Sequence, residues 1–277
     1  MVRSCAADCG SFRQATGPVV AMFCALLSTG AGEPAGKPAV PDFSGPWAHN
    51  GNAFDFAAPP MGVSPGPLVN TSGDRLVPVG NYDSPILKPW AAAEVKKHGD
   101  MLLSGKLAPD AHTACYPMGV PYVLQARDNV WFVQTPEWVA ILYQNGSQQR
   151  LVHLDAKHSA NPVPSWFGES VGHYEGDTLV VDTIGIAVHE VSAIDRFGTP
   201  HTDAMHVVER YRVSSDRRTL RVDFTVDDTG AFNIAWHAAV TYGRGTDSPG
   251  EYVCAENTNN YFHEDGYPIP ESQKPDF

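Results

Sequence analysis

The groups best suited to moving protons crowd into one stretch, Pro164 to Val213. Its polar middle carries His189, Glu190, Asp195, Arg196, His201 and Asp203, and the run that follows adds His206, Glu209 and Arg210. A histidine beside a carboxylate is oriented and made more basic, which is the requirement for a general acid–base pair. An arginine next to such a pair holds an anionic group or stabilises negative charge as it develops. The chemistry this predicts is acid–base catalysis: His201 or His206 as the base, Asp195 or Asp203 orienting it, Glu209 as the partner acid. Arg196 or Arg210 is then the electrostatic clamp. The plainer alternative is an ion-paired loop that pins one connection across the mouth of the fold.

Glu209 is the sharpest anomaly. In 205–213, strict alternation places Met205, Val207, Glu209, Tyr211 and Val213 on one side. A carboxylate inside an apolar row must be paired, protonated or functional. The same alternation sends His206 and Arg210 to the other face, so they reach Glu209 only if the strand bulges or ends there.

A second group comprises His153, Asp155, His158 and His173. His153 and Asp155, two apart on a strand, share a face, and His173 precedes the turn Glu175-Gly176-Asp177. His173 joins the catalytic candidates and His153 the substrate-binding ones, with Tyr211 and Trp166 among the aromatics able to line a pocket for a ring. For any one of these histidines, a hydrogen-bonded structural role is the simpler account. Eleven histidines also permit a metal, and a strand His-x-Asp with a distant third histidine suits zinc or copper. The sequence has no HExxH, no close HxH and no CxxC, so no metal is assigned. A glycine-rich phosphate loop after a strand is missing too, which argues against a nucleotide cofactor.

Short runs rich in Val, Ile, Trp, Tyr and Thr must position these groups. Strands are predicted at Tyr122–Ala126, Val130–Thr135, Trp138–Gln144, Arg150–Asp155, Val171–Glu175, Thr178–Thr183, His206–Val213, Thr219–Val226 and Phe232–Tyr242. Turn residues at Asn145-Gly146, Glu175-Gly176-Asp177 and Ser214–Arg218 imply sequential antiparallel hairpins. That many strands suggest an all-β domain, antiparallel and barrel-like (calycin- or lipocalin-like) or a sandwich, which shelters its edges. Pro41–Trp47 reads as a first strand or an aromatic plug, and one helix is expected from Pro89 to about Leu103, with Gly99 as the point where it breaks or ends.

The chain has 277 residues, 43% of them hydrophobic, enough for a real core. A formal charge of −12 argues against a nucleic-acid partner. No apolar stretch is long enough for a membrane span. Arg3 and Arg13 before the apolar run Val19–Leu27, then Ser28-Thr29-Gly30-Ala31, form the pattern of an export signal. The expected organisation is a signal over 1–31, a Pro/Gly-rich extension with one helix over 32–121, an antiparallel β domain over 122–250 and a tail over 251–277. Removal of the signal leaves Cys115 and Cys254, which in an oxidising compartment most economically form one disulfide; two separate buried thiols are the alternative.

Several motifs then fall into a pattern: Pro41-Asp42-Phe43-Ser44-Gly45-Pro46-Trp47, Cys115-x-Pro117-x-Gly119-x-Pro121, Gln134-Thr135-Pro136, Ser165-Trp166-Phe167-Gly168, and Gly172 through Thr183. With Asp195 to His201, His206 to Arg210 and Glu251 to Asn257, they resemble a family of exported bacterial proteins, over roughly Pro41 to Asn257. The resemblance implies export and a single β domain, and carries no reaction. Tyr174 stands where the family pattern has tryptophan, and 184–193 resemble it less than their flanks do. Together these readings lead to an exported, cofactor-independent enzyme of lyase, hydratase, isomerase or hydrolase type, acting on a small, partly hydrophobic molecule in a barrel mouth. A lipocalin-like binding protein and a His/carboxylate metalloenzyme are the alternatives.

Overall fold

A computed structural model describes residues 40–49, 55–108, 110–126, 128–245, 250 and 252. Nine strands follow one another round a closed barrel: β1 Pro46–His49, β2 Val130–Gln134, β3 Trp138–Tyr143, β4 Gln148–Leu154, β5 Glu169–Glu175, β6 Thr178–Ile184, β7 His206–Val213, β8 Thr219–Asp227 and β9 Trp236–Arg244. Trp47 pairs with Val130 on one side and Arg244 on the other, so β1 closes the wall and leaves no free edge. Part of the segment read as an extension is therefore barrel wall.

The all-antiparallel expectation fails at one seam. β4 and β5 run parallel, with Val152, His153 and Leu154 opposite Ser170, Val171 and Gly172. Parallel neighbours need a crossover of roughly a dozen residues or more, and residues 155–168 provide it. They form a strap that climbs the outside of the barrel from the end of β4 to the start of β5. No such return is visible in hairpin turn signals.

Alternation divides every strand into an inner and an outer row. Val207, Glu209 and Tyr211 of β7 face Leu220, Val222, Phe224 and Val226 of β8 inside, all buried. Trp47, Phe132, Tyr143, Trp236 and Tyr242 fill the lumen with them, Phe132 meeting Tyr211 edge-on at 5.7 Å. Each such side chain contributes about 1.5–3 kcal/mol on burial. The lumen is a packed core, unlike the ligand chamber a lipocalin-like barrel would offer.

The connections at the barrel end where β6 and β8 finish clasp one another. Asp228 accepts from Thr202 N and Oγ1, both at 2.6 Å, and from Gly230 N at 2.9 Å. Asn233 Nδ2 donates to Pro85 O and Leu87 O at 3.0 and 2.9 Å, which is why β9 begins at Trp236 rather than Phe232. Helix α1 spans Pro89–Leu103, as its proline start and alanines predict. Gly99 does not break it: a Cβ there would lie 2.9 Å from Val79 Cγ1, so the glycine lets the helix sit down on that valine. Tyr122–Gln125 is a 3₁₀ turn rather than a strand, because all four of its side chains are buried and it has no outer row.

The apolar row around Glu209 holds because Arg150 of β4 enters the same space. Both guanidinium nitrogens NH1 and NH2 reach the carboxylate, NH1 at 3.0 Å. Nε donates to Ser170 Oγ at 2.9 Å, NH2 to Thr183 Oγ1 at 2.6 Å, and Tyr211 Oη to Glu209 Oε1 at 2.7 Å. Arg150 and Glu209 are 2% and 0% exposed, so removing either would strand the other's charge. Glu209→Gln should cost about 3–5 kcal/mol by urea unfolding, and Arg150→Met/Glu209→Leu should recover a large part. A single variant as stable as the parent would contradict this account.

Candidate active site

The outer rows of β5, β6 and β7 carry the densest proton-active chemistry. Alternation puts Glu169 on the outside of β5, Asp182 on β6 and His206 on β7, and the pairing register sets Asp182 opposite Val171 and Val208. The strap lays His158 and Ser159 over them. Ser159 Oγ donates to Glu169 Oε2 at 2.6 Å and its backbone N–H to Oε1 at 2.7 Å. Glu169 Oε1 lies 3.0 Å from His158 Nδ1, whose ring reaches Asp182 Oδ1 through Nε2, also at 3.0 Å. The same Asp182 oxygen meets His206 Nε2 at 2.8 Å. Ser159, Glu169, His158, Asp182 and His206 thus form one unbroken chain of proton donors and acceptors.

Its two ends differ. His158 and Glu169 are 20% and 28% exposed in their side chains, whereas His206 is 41% exposed and opens to water. The Ser159 hydroxyl and backbone N–H hold the Glu169 carboxyl below its usual range, so it stays ionised near neutrality. A neutral imidazole carries one N–H, yet His158 faces a carboxylate oxygen through each nitrogen, so only the doubly protonated ring donates to both.

Ser159 and Glu169 also line a cleft of about 580 Å³. It opens where the β4–β5 wall splits above the Val152–Ser170 pair, beneath the strap. Gln149, Leu151 and His153 come from β4, Asn161, Val163, Ser165 and Phe167 from the strap, with Arg150 and Ser170 at its floor. Phe167 lies parallel to the buried Tyr143 ring at 5.8 Å, and burial pushes that phenol up to about 12.

The structure separates most of the candidates proposed from sequence. The β7–β8 register is regular from His206 to Val213, without a bulge, so Glu209 points inward and His206 and Arg210 outward. Arg210 pairs with Glu175 at 2.5 Å, and His173 meets the same carboxylate at 3.0 Å. Both sit away from the His206 chain, near the Glu175–Asp177 turn. Tyr211 is a core residue serving Glu209. His201 is buried, its Nδ1 3.1 Å from Thr202 O, and burial lowers its pKa. Asp203 is exposed. Arg196 clasps Asp55, Nε at 2.6 Å and NH2 at 3.2 Å. Trp166 stacks on Tyr116, centroids 5.5 Å apart, beside His189. Asp155 lies past the end of β4 with φ 52°, which breaks the row it was expected to share with His153. Among the described residues, no three His, Cys, Asp or Glu groups are arranged to hold a metal ion.

Sequence reasoning missed Asp182, Glu169 and Ser159 and considered His158 only in passing. The outward position of Asp182 was readable from the alternation of Thr178–Thr183. That His158 arrives above it depends on the parallel crossover, which has no local signal. No family model matches the chain, and neither a curated protein nor a solved structure is significantly similar to it.

Asp195 organises the β6–β7 connection. It accepts from Phe197 N at 2.9 Å, Thr199 N at 3.2 Å and Thr199 Oγ1 at 2.8 Å. Burial dominates these bonds and pushes its carboxyl up from 3.8 to about 6. The folded state therefore binds a proton that the unfolded chain releases, and this group's stabilisation fades as pH rises from about 4 to 6. Asp195→Asn keeps the acceptor and removes the titration. The stability advantage of the parent over this variant, from urea curves, should be about 2 kcal/mol larger at pH 4.5 than at pH 7.5. An equal difference at both values would refute the assignment.

Proposed function

We propose that this is an exported enzyme performing acid–base chemistry on a small, partly hydrophobic molecule held in the cleft under the strap. The observation that carries this reading is the unbroken chain from the cleft wall to the solvent-facing His206. Glu169, ionised and held by Ser159, takes a proton from the bound molecule. In the relay the neutral His158 ring carries its one N–H on Nε2: Nδ1 accepts the proton from Glu169 Oε1 while the Nε2 proton moves to Asp182 Oδ1 and on to the unprotonated Nε2 of His206. Run in reverse, the chain returns a proton to the substrate. Such a relay suits elimination, hydration, isomerisation or hydrolysis, and every step uses the chain's own groups. His206, read from sequence as a candidate base, takes a different part on this reading: it is the outermost group, exchanging protons with water.

A second reading, a binding protein using the same cleft, is favoured by how open the cleft is. The two part on turnover. Once a screen finds a substrate, Glu169→Gln should lower kcat/KM by roughly 10²–10⁴ with the fold intact. His206→Ala should lower it less, because water replaces the outermost group. Ligand binding with no turnover in the parent would favour the binder, and turnover indifferent to Glu169→Gln would remove the catalytic assignment. The metalloenzyme reading is tested separately: stoichiometric zinc or copper in untagged protein would support it and recast His158 and His206 as ligands.

Export is supported by the basic, apolar and small-residue pattern of 1–31. Cys254 lies outside the described residues. Tyr252 Oη, however, lies 3.3 Å from His112 Nε2, which brings the chain just before each mature cysteine together. On this reading Cys115 and Cys254 are joined, and the mature protein should be two hydrogens lighter by non-reducing mass measurement than its reduced form. Two free thiols in secreted material would count against both the bond and the compartment.

A further inference from the structure

The walls of the cleft define a ligand class more narrowly than the relay does. Among the described residues, the side chains of Gln149, His153 and Asn161 make no hydrogen bond or ion pair, and all three open on this cleft. An amide carries a donor and an acceptor together, and a neutral imidazole does the same. Hydroxyl groups are the ligand atoms that match such side chains, since each also donates and accepts. Ser159, Ser165 and Ser170 add hydroxyls along the same walls.

Charge narrows the choice further. Arg150 reaches the floor, but its guanidinium is committed to Glu209, Ser170 and Thr183. Glu169 adds a carboxylate that repels anions. Phe167, Leu151 and Val163 supply apolar surface, the ring backed by Tyr143. Uncommitted groups that both donate and accept, no unpaired guanidinium, one carboxylate and an aromatic ring suit a molecule with hydroxyls round its edge and an apolar face.

We propose that the cleft binds a neutral, hydroxyl-rich ring, a sugar or sugar-like polyol, with its apolar face against Phe167 and its hydroxyls on Gln149, Asn161 and His153. This rests on the cleft being the functional site. Isothermal titration of the full mature chain with methyl pyranosides of gluco, galacto, manno and xylo configuration tests it, with glucuronate and benzoate as anionic controls. At least one glycoside should saturate in the millimolar range, and glucuronate should bind about tenfold or more weakly than the best of them. Gln149→Ala and Asn161→Ala, both at exposed positions, should each weaken that glycoside by roughly three- to tenfold. The proposal is overturned if none of the four glycosides binds, if either anion binds as tightly as the best glycoside, or if both variants bind unchanged. If glycosides fail while some other substrate turns over in a Glu169-dependent way, the ligand class falls and the enzymatic reading stands. If a glycoside binds and Glu169→Gln alters no turnover, the enzymatic reading falls and the ligand class stands.

Discussion

A charge pair sealed inside the barrel governs the rest of the structure. Arg150 and Glu209 come from strands that are not neighbours, and their hydrogen bonds recruit Ser170 and Thr183 from the two strands between them. Four consecutive strands are therefore indexed to one guanidinium. A slip of one residue in any of them would turn its partner group outward, leaving a bare charge or an unfilled hydrogen bond in an apolar lumen. Hydrophobic residues of similar shape could fill that volume at least as stably. They would discriminate less sharply between registers. The same pair removes a cation from the cleft floor, so a contact made for the core also sets the electrostatics of the neighbouring surface.

Inner and outer rows of the same strands carry the division of labour. On β7, Glu209 and Tyr211 serve the core while His206 and Arg210, one residue away, serve the surface. On β6, Thr183 supports Arg150 and Asp182 supports the histidines. Rigidity passes between the rows through the backbone itself. A relay anchored on strand residues whose neighbours are locked in a packed lumen needs little further support to hold its spacing. Its members outside the strands are His158 and Ser159, on the strap.

Local patterns carried much of the fold. The β7 strand and helix α1 have the ends that alternation, Pro89 and the alanines imply, and Glu209 stood out because its row was otherwise apolar. What local patterns lack is the partner of a distant residue. Nothing near Glu209 names Arg150, which in sequence looks like an ordinary polar residue at the start of a strand. The 3₁₀ turn at Tyr122–Gln125 has strand-like composition but is buried on every side, and burial all round follows from the loops packed over it. The candidate site was half legible. His206 was chosen for its carboxylate neighbours in sequence, yet the carboxylate it meets, Asp182, lies across the β6–β7 pairing. His158 joins only because one connection returns parallel instead of turning back as a hairpin.

That return has a consequence for how such a barrel can change. Gln149, Leu151 and His153 are fixed to the wall, whereas the opposite lip of the cleft is the strap, tied to the barrel at His158 and Ser159 and through Phe167 against Tyr143, with exposed residues between these anchors. The side chains of Asn161, Val163 and Ser165 are exposed, so they can be exchanged without disturbing an inward-facing side chain. Selectivity and stability are thus inherited on separate stretches of chain. The strap can diverge quickly between otherwise similar barrels, and a graft of one strap onto another wall would move the choice of ligand with it.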